Sequence, residues 1–154
     1  WYRLAAEQGY AAAQYNLGVM YAKGEGIPKD DKEAVKWYRL AADQGDAFAQ
    51  YNLGVRYGNG RGVPEDDKEA VKWYRLAADQ GDADAQYNLG VMYAKGEGIP
   101  KDNLLAYMWW NIAGANGQDV EGNMGIISGN MSQADISKAQ EKTTQYIKDN
   151  PDVY

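Results

Sequence analysis

The chain has 154 residues, no Cys, no His and a net charge of −6. Leu, Ile, Val and Phe total only 24 residues, a share that raises disorder; 22 Ala, 13 Tyr, 5 Trp and 5 Met instead supply the apolar quota and suit close-packed helices. The missing Cys and His exclude disulfides, thiolate or imidazole zinc sites and His-based triads, the acidic balance argues against duplex nucleic acid, and no apolar run of 18 residues is present to span a membrane.

A 36-residue period sets the elements. WYRLAAEQG at 1–9 returns as WYRLAADQG at 37–45 and 73–81, then degenerately as WWNIAGANG at 109–117. AQYNLGVMY at 13–21 returns as AQYNLGVRY at 49–57 and unchanged at 85–93, and 27 of 36 positions agree between 1–36 and 37–72. Periods of this length indicate stacked units that bury their faces against neighbours. The expected organisation is one solenoid domain over 1–154. Residues 1–9 form the second helix of an incomplete leading repeat, and further repeats are expected before Trp1. Helix-pair repeats follow at 10–45, 46–81 and 82–117, and 118–154 is a degenerate capping pair.

In chain order, Ala11 to Lys23 reads as a first helix, with Ala13, Leu17, Met20 and Tyr21 on one stripe and Gly24 ending it. A second helix follows, with Ala34, Trp37, Tyr38 and Ala41 on its stripe. Asp30 and Glu33 have capping-box spacing at its start, and Asp66 and Glu69 repeat it. Pro28, Pro64 and Pro100 fall in loops. Gly18, Gly54 and Gly90 lie in mid-helix, which predicts close helix–helix approach. The Trp1, Trp37, Trp73 and Trp109 series predicts core, with Trp110 in place of the usual Tyr. Asp119 to Ile127 predicts a shortened helix. Ser132 predicts the cap of a last helix with Ile136, Ala139, Thr143 and Ile147 inside.

Leu17-Gly18-x-x-Tyr21 and Ala34-x-x-x-Tyr38-x-x-Ala41 match the spacing of the tetratricopeptide helix pair. With the 36-residue period, the long loop at 23–30 and A-x-x-Q-G-x-A-x-A-Q-Y-N-L-G-x-x-Y, the chain resembles the Sel1-like repeat over 1–117. Its tail, after Y-M-W-W-N-I-A at 107–113, resembles the ending of bacterial members. The resemblance implies an all-α, right-handed α-α superhelix that serves as a protein-interaction scaffold or adaptor. No cofactor is expected, and no metal, since Asp30, Asp31 and Glu33 lack the ligand spacing of a cation loop and suit helix capping. Some cysteine-rich bacterial relatives are linked to β-lactam binding or hydrolysis, but this chain has no Cys to form their disulfides.

In such a solenoid the first helices line the concave face. That places Tyr15, Asn16 and Val19, then Tyr51, Asn52 and Val55, then Tyr87, Asn88 and Val91 in the groove. Asn can donate and accept to an extended backbone, and Tyr offers rigid contact area. The alternative is that the Asn side chains bond neighbouring loops while the Tyr rings pack between repeats. Divergence between units singles out Phe48 and Arg56, with Asp84 at the edge, as specificity candidates against ordinary surface drift.

No catalytic residue is expected, because the hydroxyls of Ser128, Ser132, Ser137, Thr143 and Thr144 have no base partner. Net charge runs 0, −1, −2 and −3 over 1–36, 37–72, 73–108 and 109–154, so a partner with a basic segment would be steered to the C-terminal end. The expected function is capture of a protein or peptide in the groove. Self-assembly through exposed repeat ends, motivated by 1–8, is the alternative. A β-lactam-directed relative is the third reading. The compartment, periplasmic, secreted or cytoplasmic, stays open.

Overall fold

Capping chemistry sets the helix boundaries. The structure is a computed structural model that describes residues 2–153. Among these the only regular elements are nine α-helices, with no strand. Two compact units divide the chain, one ending at Ala77 and the other beginning at Ala78.

The first unit contains α1 (Tyr2–Glu7), α2 (Ala11–Lys23), α3 (Asp31–Asp43), α4 (Ala47–Gly58) and all but the last residue of α5 (Asp67–Ala78). Asp30 caps α3 by accepting from the backbone N–H groups of Lys32 (2.9 Å) and Glu33 (3.1 Å). Asp66 repeats this for α5 at 3.0 and 3.1 Å. Only half of the expected capping box forms. The backbone N–H groups of Asp30 and Asp66 donate instead to Tyr21 and Tyr57 carbonyls, and Glu69 accepts from the Trp73 indole at 3.1 Å. Gly24 ends α2 in the left-handed region, φ 74°, where a side chain would be strained, and donates to the Met20 carbonyl.

Small residues let the helices approach. Ala34, Ala41, Ala49 and Leu53 are fully buried, and Trp37 and Trp73 are core, as expected; Trp1 lies outside the described residues. A Cβ on Gly18 would stand 2.7 Å from Tyr38 Cδ1, and one on Gly54 the same distance from Tyr74 Cδ1. Each glycine costs its helix roughly 1 kcal/mol against Ala, and the ring packed flat on the bare backbone offsets it. Buried Gln14 and Gln50 hold the stack. Their Nε2 groups donate to the carbonyls of Ala6 and Ala42, both at 3.1 Å, in the last turns of α1 and α3.

The second unit contains α6 (Ala83–Lys95), α7 (Asn103–Ala115), α8 (Glu121–Ser128) and α9 (Gln133–Asp149). Asp82 and Asp102 cap α6 and α7. Gln86 repeats the glutamine bond, to the Ala78 carbonyl at 3.1 Å, and its Oε1 accepts from Asn116 at 2.9 Å. Trp110 takes the Tyr position. Its indole covers Gly90, where a Cβ would stand 2.6 Å away, and donates to the Tyr87 carbonyl at 3.1 Å. Buried Trp109 meets Tyr146 of α9 edge-on at 5.1 Å. Ser132 caps α9 as expected, with Ala139 and Thr143 buried and Lys138, Glu141, Lys142, Gln145 and Lys148 exposed. The cap's first helix, α8, begins two residues later than Asp119, which lies ahead of it and accepts from the Glu121 N–H at 3.3 Å.

Candidate functional site

The first helix of each repeat has two faces with different fates. On α2 and α4, Ala13, Gln14, Leu17 and Gly18, with their copies at 49, 50, 53 and 54, are buried. The residues between them keep part of their surface open: Tyr15, Asn16 and Val19 on α2, and Phe48, Tyr51, Asn52, Val55 and Arg56 on α4.

Phe48 is the most open of these at 62% exposure, and its ring centroid lies 6.0 Å from that of Tyr15. Tyr15 lies equally far from Tyr38, and Tyr51 lies 6.0 Å from Tyr74. These tilted contacts pack the Tyr15 and Tyr51 rings against neighbouring helices. Among the described residues Asn16 and Asn52 bond neither a neighbouring loop nor another repeat. Each Nδ2 donates at 2.8 Å to the carbonyl one turn back, Ala12 or Phe48. That bond ties each amide back to its own helix. Arg56 is committed within the unit: its Nη1 meets Asp31 Oδ1 at 2.6 Å, its guanidinium lies 5.9 Å from the Tyr38 ring, and its side chain is 12% exposed.

Burial pushes the Tyr38 hydroxyl above its ordinary value, with the Arg56 charge pulling the other way. Burial also raises Tyr74, reinforced by Tyr51 and Asp67. Both shifts favour the neutral phenol.

In the second unit α6 presents Asp84, Tyr87, Asn88 and Val91, of which Asp84 is exposed and the others half-buried. Tyr87 lies 6.5 Å from Trp110, and its hydroxyl accepts from Asn123 Nδ2 at 3.3 Å. Asp84 accepts from the Gln118 side chain. Asn88 has no side-chain hydrogen bond among the described residues. Asp82, which accepts from Ala85 N–H at 2.8 Å, is raised above the ordinary carboxylate value chiefly by burial, while the Ala85 bond opposes and the Asp84 charge adds.

The hydroxyls are engaged locally. Those of Ser128, Ser137, Thr143 and Thr144 donate to carbonyls three or four residues back, and Ser132 donates to Asp135. Among the described residues no cluster of three metal-ligating side chains occurs, and no helix is long and apolar enough to cross a membrane. The feature that sequence reasoning missed is the buried glutamine series. Its signal was available, since Gln14, Gln50 and Gln86 recur unchanged in an otherwise small-residue stretch.

Comparison with known proteins agrees with this architecture. The Sel1 repeat family model matches residues 1–10, 11–46, 47–82 and 83–118. A Sel1 repeat protein from Oxalobacter formigenes is 35% identical, with a TM-score of 0.71 over 94% of this chain and 95% of its own. The c5321 protective antigen of uropathogenic Escherichia coli, of SLR fold, is 31% identical with a TM-score of 0.75. That match covers 99% of this chain but only 41% of the antigen. Cysteine rich protein B (hcpB) of Helicobacter pylori shares the fold at 22% identity, with a TM-score of 0.61 over 82% of this chain and 92% of its own. No curated protein matches the chain significantly.

Proposed function

Because this chain belongs to the Sel1 repeat family, whose members are generally protein-interaction scaffolds, we propose that the open faces of its first helices bind a segment of a protein partner. The observation that carries this reading is the split between faces. The buried side of each first helix is nearly uniform, whereas the open side combines packed aromatic rings with amides and differs between units at Phe48 and Asp84. Rigid aromatics contribute contact area at low entropy cost, and half-buried Asn amides can donate and accept to an extended backbone. Arg56, held by Asp31, shapes the wall beside this surface. The rising acidity toward the C-terminal end supports a partner segment that carries basic residues. Such binding uses no catalytic group and no cofactor.

The test compares proteins retained by the wild type with those retained by a Tyr51→Ala, Asn52→Ala variant and by a Leu40→Asp control on α3. Leu40 is 41% exposed and outside the proposed surface. The proposal expects the double variant, still folded by circular dichroism, to lose partners that the control keeps. Full retention by the double variant contradicts it.

A second reading is favoured by one observation. Tyr2, Leu4 and Tyr10 are 57%, 58% and 64% exposed around α1, an apolar surface suited to another helix pair or a second copy. Sedimentation across a concentration range tests it, and a strict monomer at high concentration counts against self-assembly.

A further inference from the structure

The second unit holds a cleft of about 460 Å³ between α6, α7 and α8. Its apolar lining comes from Val91, Trp110, Ile126 and Ile127, and Ile126 at the rim is 73% exposed. Two cations border it, Lys95 and Lys101. In a chain of net charge −6 this is a local reversal of sign. Lys95 makes only an exposed 3.5 Å pair with Glu97, which contributes little, and Lys101 has no ion-pair partner among the described residues. Asn123 and Asn130 stand at the α8 wall: the Asn123 amide is bonded to the Tyr87 hydroxyl, and Asn130 Nδ2 donates to the Ile126 carbonyl at 2.9 Å, while Asn130 Oδ1 is unbonded among the described residues. Asn103 also lines the cleft, but its Oδ1 is buried with no hydrogen-bond partner among the described residues and offers a ligand no open acceptor.

An apolar pit beside a free ammonium group fits a molecule that carries an apolar body and one anionic end. The Asn130 Oδ1 adds a demand for an N–H group in the same cleft. An apolar side chain, a carboxylate and an adjacent amide occur together at the last residue of a polypeptide. We infer that this cleft binds the C-terminal residue of a partner chain, its carboxylate held by Lys101 and Lys95 and its apolar side chain seated against Trp110 and Ile126. The inference rests on the reading of the α6 face as a peptide surface, since Val91 belongs to both and Tyr87 reaches Asn123. It also fits the charge along α6: Asp84 in its first turn favours basic residues upstream of the terminus, while Lys95 in its last turn and Lys101 receive the terminal charge.

The experiment titrates nitrogen-15-labelled protein with acetyl-Ala-Lys-Ala-Leu bearing a free carboxylate, the same peptide as its C-terminal amide, and octanoate. Side-chain signals of Trp110, Asn123 and Asn130 report the cleft, and Asn88 reports the α6 face. The expected result is saturable shifts at both sites with the free acid. Affinity should fall about tenfold for the amide and for Lys101→Gln, as for loss of one charge-assisted contact. Ile126→Asp, at a solvent-exposed position that leaves the fold intact, should abolish the cleft shifts. Equal affinity for acid and amide overturns the carboxylate assignment. Shifts at Asn88 alone overturn the cleft and spare the α6 face, whereas shifts at neither site overturn both. Octanoate binding that the peptide cannot displace assigns the cleft to a small amphiphile and overturns the inference.

Discussion

Helix α4 in the first unit and α6 in the second carry the same nine-residue motif, AQYNLGV-x-Tyr, and differ within it only at Arg56 and Met92. Their buried sides are alike: Gln50 and Gln86 reach back to carbonyls at the same 3.1 Å, and Leu53 and Leu89 are fully buried. Their open sides are not. On α4 the Asn52 amide is tied back, Tyr51 lies on Tyr74 and Arg56 is paired to Asp31. On α6 Asn88 is unbonded among the described residues, Tyr87 rests on Trp110 and bonds Asn123, and Met92 turns inward. The motif therefore fixes the packing, and the residues contributed by neighbouring helices decide what the surface offers.

The largest expected effect separates the two rings that cover the mid-helix glycines. Gly90→Ala would drive a methyl group into the fused Trp110 ring, at 2.6 Å from two of its atoms, and should cost about 2–3 kcal/mol in urea unfolding. Gly54→Ala meets the smaller Tyr74 ring at 2.7 Å and should cost less, about 1–2 kcal/mol after the gain in helix propensity. Equal costs, or stabilisation at either site, would break the comparison.

Gln86→Leu removes the bond to Ala78 and the Asn116 contact from a fully buried position, and should cost about 2 kcal/mol by the same measurement. Arg56→Met makes α4 match α6 within the motif. It should cost only about 1 kcal/mol, because Asp31, 32% exposed, can rehydrate once its partner is gone.

The smallest effect is electrostatic. Burial raises the Asp82 carboxyl above its ordinary value of 3.8 in the folded chain, so between the two values the folded state binds more protons than the unfolded state. This contribution to stability is greatest at acidic pH and falls as pH rises through the raised value. Asp82→Asn keeps the cap acceptor and removes that slope. Thermal unfolding at neutral pH should show the variant equal to or slightly more stable than wild type, with the difference vanishing at pH 3.

Much of the fold was legible because the repeat is written several times over. Pro, Gly and Asp punctuation marks the loops, and the stripe from Ala34 to Ala41 marks the buried face. The close approach at Gly18 and Gly54 followed from glycines that no turn explained. Other features depend on distance in the chain. The pairing of Arg56 with Asp31 crosses 25 residues, and nothing in the motif itself signals it. The backward bonds of Asn16 and Asn52 were hidden because an Asn at that spacing suits a loop or a ligand equally well. The cleft beside α8 was illegible for a similar reason. The tail departs from the period there, so no copy shows what the wall should contain.

The most direct measurement of the binding proposal places a photo-crosslinking phenylalanine analogue at position 48, and in a second protein at position 40. Both positions are exposed, one on the first-helix surface and one on the second helix. The account predicts a crosslinked partner protein from position 48 and none from position 40. A partner captured from position 40 alone would contradict it.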